Sequence, residues 1–142
     1  MAAIPFTDKE MQKSWREKMS ACCKKPRSNA HRLLLFYAVE CGLKAVLMKR
    51  YGKIGKRTDS CPNLSEAQHN INRILDSLAA GSRLKLPDVI FIDEIKDTTN
   101  RKENRELTPG QINQMWRYGG EVKMWRYGKN KSDLLEIVTD CD

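Results

Sequence analysis

The sequence is poor in the groups that most enzyme chemistry draws on. It holds two histidines, His31 and His69, in 142 residues, so side chains that titrate near neutral pH are scarce. It contains no P-loop, no GxGxxG, no HExxH and no GxSxG, which removes the common nucleotide-cradling, zinc-protease and esterase sites. Its five cysteines are odd in number and include no CxxC. The opening MAAIPFTDKEMQ lacks a basic segment followed by an apolar one, so the expectation is no signal peptide, reduced thiols and a cytoplasmic protein. Adjacent Cys22 and Cys23 do not stand at zinc-ligand spacing from Cys41, Cys61 or Cys141, so neither a metal nor another cofactor is expected. The longest apolar run, Leu33 to Met48, is interrupted by Glu40 and Lys44. It is shorter than a bilayer requires, and no membrane association is expected.

What is present suits one domain, residues 1–142, able to bury about two-thirds of its unfolded surface. Hydrophobic residues at 40%, charged residues at 31% and a mean hydropathy of -0.63 belong to a globular chain rather than a disordered one. The charge is unevenly placed. Residues 1–57 hold 14 Lys/Arg against 4 Asp/Glu, a balance of +10, whereas residues 58–142 hold 12 against 14, a balance of -2. A localised positive field of this kind concentrates RNA, DNA or an acidic protein partner, or serves as a basic solubilising surface.

Helix-start signals divide the chain. Thr7 and Glu10 form a capping box, with Phe6 and Met11 as its hydrophobic staple and an apolar stripe running to about Ala21. A second helix begins near Ser28 or Asn29 and is apolar on nearly every side except a strip holding Arg32, Glu40 and Lys44, which span about 120° of its circumference. Such a helix is central to a bundle, and Glu40 with Lys44 is expected as a surface i,i+4 pair worth about 0.2–0.5 kcal/mol. A flexible basic loop follows, about 51–63. Ser65 and Gln68 then read as another capping box, opening one helix to Leu78 that turns Leu64, Ala67, Ile71, Ile74, Leu75 and Leu78 inward and His69, Arg73 and Asp76 to solvent. Gly81 stops it.

The segment around 86–95, within LPDVIFIDEIK, is either a short buried strand or an irregular apolar plug, and a charged, exposed loop is expected at about 97–106. Thr108, Pro109 and Gln111 open a further helix that buries Ile112, Met115 and Trp116 and ends at Gly119-Gly120. A last short helix is expected from about Ser132, with Leu134, Leu135, Ile137 and Val138 against the bundle. The expected fold class is therefore all-α, a four- to five-helix up-down bundle.

Two features invite binding. Lys24, Lys25 and Arg27 precede the central helix and Lys49, Arg50, Lys53, Lys56 and Arg57 follow it, at opposite ends of an element about 30 Å long. Each is a candidate phosphate contact or a solvated edge. The pentapeptide MWRYG occurs twice, as Met115–Gly119 and Met124–Gly128. Trp116, Arg117, Tyr118, Trp125, Arg126 and Tyr127 supply aromatic faces beside guanidinium groups, which suits base stacking, partner binding, or plain core anchoring by the tryptophans.

The long apolar LLLFYAVECGLKAVL followed by a loop and AQHNINRIL resembles the HEPN family (higher eukaryotes and prokaryotes nucleotide-binding). QINQMWRYG is similar to the Arg-Tyr-bearing penultimate helix of some members, so the resemblance spans roughly residues 28–130. It implies an all-α bundle that often forms homodimers, found in toxin–antitoxin, CRISPR-linked and phage-defence systems. Its active members are metal-independent ribonucleases with an Arg followed, after roughly four to six residues, by His. Here Arg27 and His31 stand one residue too close, and no Arg stands at that spacing before His69.

The expected function is a non-catalytic HEPN-like subunit that binds RNA, single-stranded DNA or an acidic protein. The alternatives are a divergent ribonuclease, with His31 acting at the scissile phosphate and Arg27 stabilising its charge, and a structural protein–protein adaptor.

Overall fold

The computed structural model describes residues 4–22, 28–120 and 122–126. Helix α1 (Asp8–Ala21) starts as its capping box requires: Glu10 N–H donates to Thr7 Oγ1 at 3.2 Å and Thr7 N–H to Glu10 Oε1 at 3.0 Å. Helix α2 (Asn29–Arg50) is capped the same way, except that a histidine takes the place of the usual Glu or Gln, with Ser28 bonded to both the backbone N–H and the Nδ1 of His31. Helix α1 lies along α2 with its N-terminus at the C-terminal end of α2. Asp8 N–H donates to Lys56 O, and Thr58 N–H to Phe6 O, at 3.0 and 2.8 Å. Between them a 3-10 turn, Gly52–Gly55, packs so tightly that a Cβ on Gly55 would lie 2.0 Å from the Met48 carbonyl oxygen.

The helix expected over 65–78 is two helices, α3 (Leu64–Ala67) and α4 (Ile71–Ser77). Gln68 breaks the run at φ 48°, ψ -119°, and the cap is not Ser65 but Asn70, whose side chain accepts the Asn72 N–H at 3.1 Å. Asparagine competes well for this role because its short amide reaches the orphan donors of the first turn. The six apolar positions read from the sequence are nonetheless all buried.

The all-α expectation is wrong. Val89–Lys96 is a full strand, β1, and the segment read as an exposed loop is a turn leading into β2 (Lys102–Leu107). Asp97 builds that turn, accepting hydrogen bonds from the Thr99 hydroxyl and the Thr99 and Arg101 N–H groups. These bonds, the Thr99 hydroxyl foremost, hold its carboxyl below the ordinary value. After a 3-10 turn (Pro109–Gln111) and α5 (Ile112–Arg117), strand β3 (Val122–Arg126) completes an antiparallel sheet in the order β2-β1-β3. The start of α5 follows the sequence reading: the Thr108–Gln111 capping box is formed, Pro109 opens the turn, and Ile112, Met115 and Trp116 are buried.

Helix α2 touches α1, α4 and α5. One core cluster joins Leu35 and Phe36 of α2 to Ile71 and Leu75, to Ile90 and Ile92 of β1, and to Ile112 and Trp116. A second gathers Leu47, Met48, Cys61, Leu64, Ile74 and Leu78 at the other end. Buried Asn72 pins the connector that leads to β1, donating to Leu86 O at 2.9 Å and accepting Leu86 N–H at 2.7 Å. Both groups would otherwise be orphaned in the core. Among the described residues, no helix is long and apolar enough to cross a membrane.

Candidate functional site

Glu40 sits halfway along α2 and is 6% exposed. Lys44, one turn on, places Nζ 3.6 Å from Glu40 Oε2 with its own side chain 13% exposed. The i,i+4 pair expected from the sequence exists, but it is buried rather than on the surface. The break after α3 frees His69 to turn back onto α2, where Nδ1 lies 2.8 Å from Glu40 Oε1. His69 is therefore not a helix-face residue, as its spacing suggested, but the bridge between two elements.

A carboxylate only accepts, so Nδ1 donates this bond, and Nε2 of the half-exposed ring takes no part in it. The Tyr37 ring lies 5.8 Å from the imidazole, centroid to centroid, and its hydroxyl receives a hydrogen bond from Asn113 Nδ2 of α5 at 3.3 Å. Asn113 Oδ1 is buried and has no partner among the described residues. A carboxylate that fixes the tautomer and orientation of a histidine, and would stabilise its imidazolium, is the arrangement a general acid–base group needs. Of the described residues, no group of three or more His, Cys, Asp or Glu is placed to hold a metal ion.

A second candidate surface lies where α1 begins and α2 ends. Of the cationic residues read from the sequence, two are committed to the fold: Arg50 donates to Leu78 O at 2.8 Å, and Arg57 holds Asp59 through two bonds of 2.9 and 2.7 Å. Lys49, Lys53 and Lys56 are exposed. The bond from Asp8 to the Lys56 carbonyl brings the exposed Lys9 to the same end. None of these four lysines forms an ion pair with a described residue. Lys9 escaped the sequence reading because only tertiary contact unites it with residues 49–56. Lys24, Lys25 and Arg27 lie outside the described residues.

The aromatic repeat divides. Trp116 is 4% exposed and packs against Phe36 with ring centroids 5.7 Å apart, so it is a core residue and offers no face to a base. Arg117 and Tyr118 are exposed, the guanidinium lying 5.8 Å from the centre of the tyrosine ring. Trp125 and Arg126 belong to β3, with side chains outside the described part, as is the whole of Tyr127. His31 is occupied as the N3 partner of the α2 cap. Comparison with protein-family models, with curated proteins and with solved structures yields no match for this chain.

Proposed function

We propose that this protein is a HEPN-like, non-catalytic subunit that binds single-stranded RNA or DNA through the lysine-bearing end formed by Lys9, Lys49, Lys53 and Lys56. Its place in a phage-defence or toxin–antitoxin type system rests on the sequence resemblance alone. The observation that carries the binding claim is the gathering of four exposed ammonium groups with no ion-pair partner among the described residues, while the neighbouring Arg50 and Arg57 are used within the fold. Uncompensated lysines in one place release counterions when they meet phosphates, whereas paired ones have already given up much of that gain.

Fluorescence anisotropy of labelled single strands and a duplex, titrated between low and physiological salt, tests this reading. Lys49→Gln/Lys53→Gln/Lys56→Gln should weaken binding and flatten the slope of log K against log salt by about 2, at roughly 0.7 per phosphate contact on single strands. No affinity at physiological salt, or an unchanged slope, would turn the basic half toward an acidic protein partner.

A second reading is favoured by the Glu40–His69 pair: metal-independent RNA cleavage with His69, rather than His31, as the acid–base group. It expects cleavage in EDTA that His69→Ala abolishes and His31→Ala spares. The reverse pattern, or no cleavage, removes this reading.

A further inference from the structure

The surface between α1 and α2 carries an apolar groove of about 410 Å3, lined by Gln12, Trp15, Val39, Leu43, Val46 and Lys49 among others. Gly42 makes it possible, since a Cβ there would come within 3.1 Å of the Trp15 indole. Trp15 and Val46 remain 39% and 47% exposed. Contiguous exposed apolar surface of this kind marks a place where something docks. The lining holds one cation, Lys49, and no carboxylate, and exposed Arg16 follows Trp15 on α1. None of the acids of α1 lines it, and two of them, Glu10 and Glu17, border a different groove, on the Phe6 and Ser14 side.

The occupant this chemistry selects is apolar on one side and acidic on the other. The chain contains such a segment. Residues 132–142 read SDLLEIVTDCD. At 100° per residue, Leu134, Leu135, Ile137 and Val138 fall within about 160° of one another and Asp133, Glu136 and Asp140 within about 60° on the other side.

The lengths agree. The α2 residues of the groove, Val39 to Lys49, cover about 15 Å of helix axis, close to the roughly 15 Å of a ten- or eleven-residue helix. Val39 and Leu43 also pack on the core cluster that contains Ile90, and Ile90 pairs with Trp125 of β3. From Arg126, the last residue of β3, five residues lead to Ser132, six Cα steps that can span at most about 20 Å.

We propose that residues 132–142 of the same chain dock in this groove, with their four aliphatic side chains on Trp15 and Val46 and their carboxylates toward Lys49 and Arg16. This contact shares Lys49 with the proposed nucleic-acid surface, so a docked carboxylate and a phosphate compete for that ammonium group, but the contact is read within the chain itself. A nitroxide on Cys141 of the full-length protein tests it. Cys22, Cys41 and Cys61 are buried, and Cys23→Ser leaves Cys141 for labelling.

The expected result is loss of most of the NMR intensity of the Trp15 indole N–H and of the Val46 and Lys49 amides, with the residues of β2 unaffected. Val46→Glu, at an exposed position, and separately Leu134→Asp/Ile137→Asp, should each restore those signals. Full intensity in the starting protein, or broadening that survives both variants, overturns the proposal. Broadening that persists between an isotope-labelled copy and a separate spin-labelled copy assigns the groove to a second molecule and overturns it equally.

Discussion

Glu40→Ala is expected to cost about 3 to 5 kcal/mol of folding stability, ten times what a surface i,i+4 pair is worth. The carboxylate is buried between Lys44 and His69. Deleting it leaves an ammonium group with little solvent around it and releases the loop that His69 ties to α2. Replacing both members, Glu40→Leu/Lys44→Leu, removes the stranded charge and should recover most of the loss, because a well-packed apolar pair often equals or exceeds a buried ionic one. Urea unfolding of the single and double variants is the measurement, with the midpoint falling at an unchanged m-value. A loss below about 1 kcal/mol would mean that water reaches the pair as it reaches an exposed one. The same variants bear on function, since without Glu40 the His69 ring loses the partner that fixes its tautomer.

Trp116→Ala carries an expected cost of similar size, about 3 to 5 kcal/mol, because it empties the position at which α5 packs on Phe36 within the core cluster. Thermal or urea unfolding reads this directly. The informative companion is Trp116→Phe, which keeps most of the volume: if the protein stays folded, its affinity for single strands should not change, since the indole is enclosed. A drop in affinity without a drop in stability would return Trp116 to the binding surface. Tyr118→Ala, at a residue 76% exposed, should by contrast leave stability within about 0.5 kcal/mol.

The elements that were legible share one physical property: they are decided by contacts three or four residues apart. The Thr7–Glu10 and Thr108–Gln111 boxes and the Ser28 start of α2 each satisfy the orphan N–H groups of a first turn with a neighbouring side chain. Where two local signals competed, sequence could not rank them. The sequence reading takes Ser65 as the cap and not Asn70, yet the cap at Asn70 is the one that lets His69 reach Glu40. The sign that something lay beneath α2 was present, in a charged pair on an otherwise apolar helix, but a solvated face accounts for that pair equally well until the neighbouring elements are placed.

The sheet was hidden for a different reason. KENREL has no apolar alternation, and as the edge strand β2 it needs little, because its register against Ile90, Ile92 and Ile95 comes from β1. Strand formation in such a segment is a property of the partner it pairs with.

The repeated MWRYG draws the boundary between the two kinds of information. Its first copy ends helix α5, burying Met115 and Trp116, and stops where Gly119 takes φ 76°. In the second copy Met124, Trp125 and Arg126 form β3, opposite Phe91, Ile90 and Val89. The same Met-Trp-Arg is helix at 115–117 and strand at 124–126, so the local sequence does not choose between them. Sequence alone determined the positive half of the chain, the capped helix starts and the apolar positions of the core, all set by composition or by short-range spacing. Tertiary structure decided the sheet, the gathering of Lys9 with Lys49, Lys53 and Lys56, and the burial of Glu40 beneath His69, because each depends on groups far apart in the chain meeting in space.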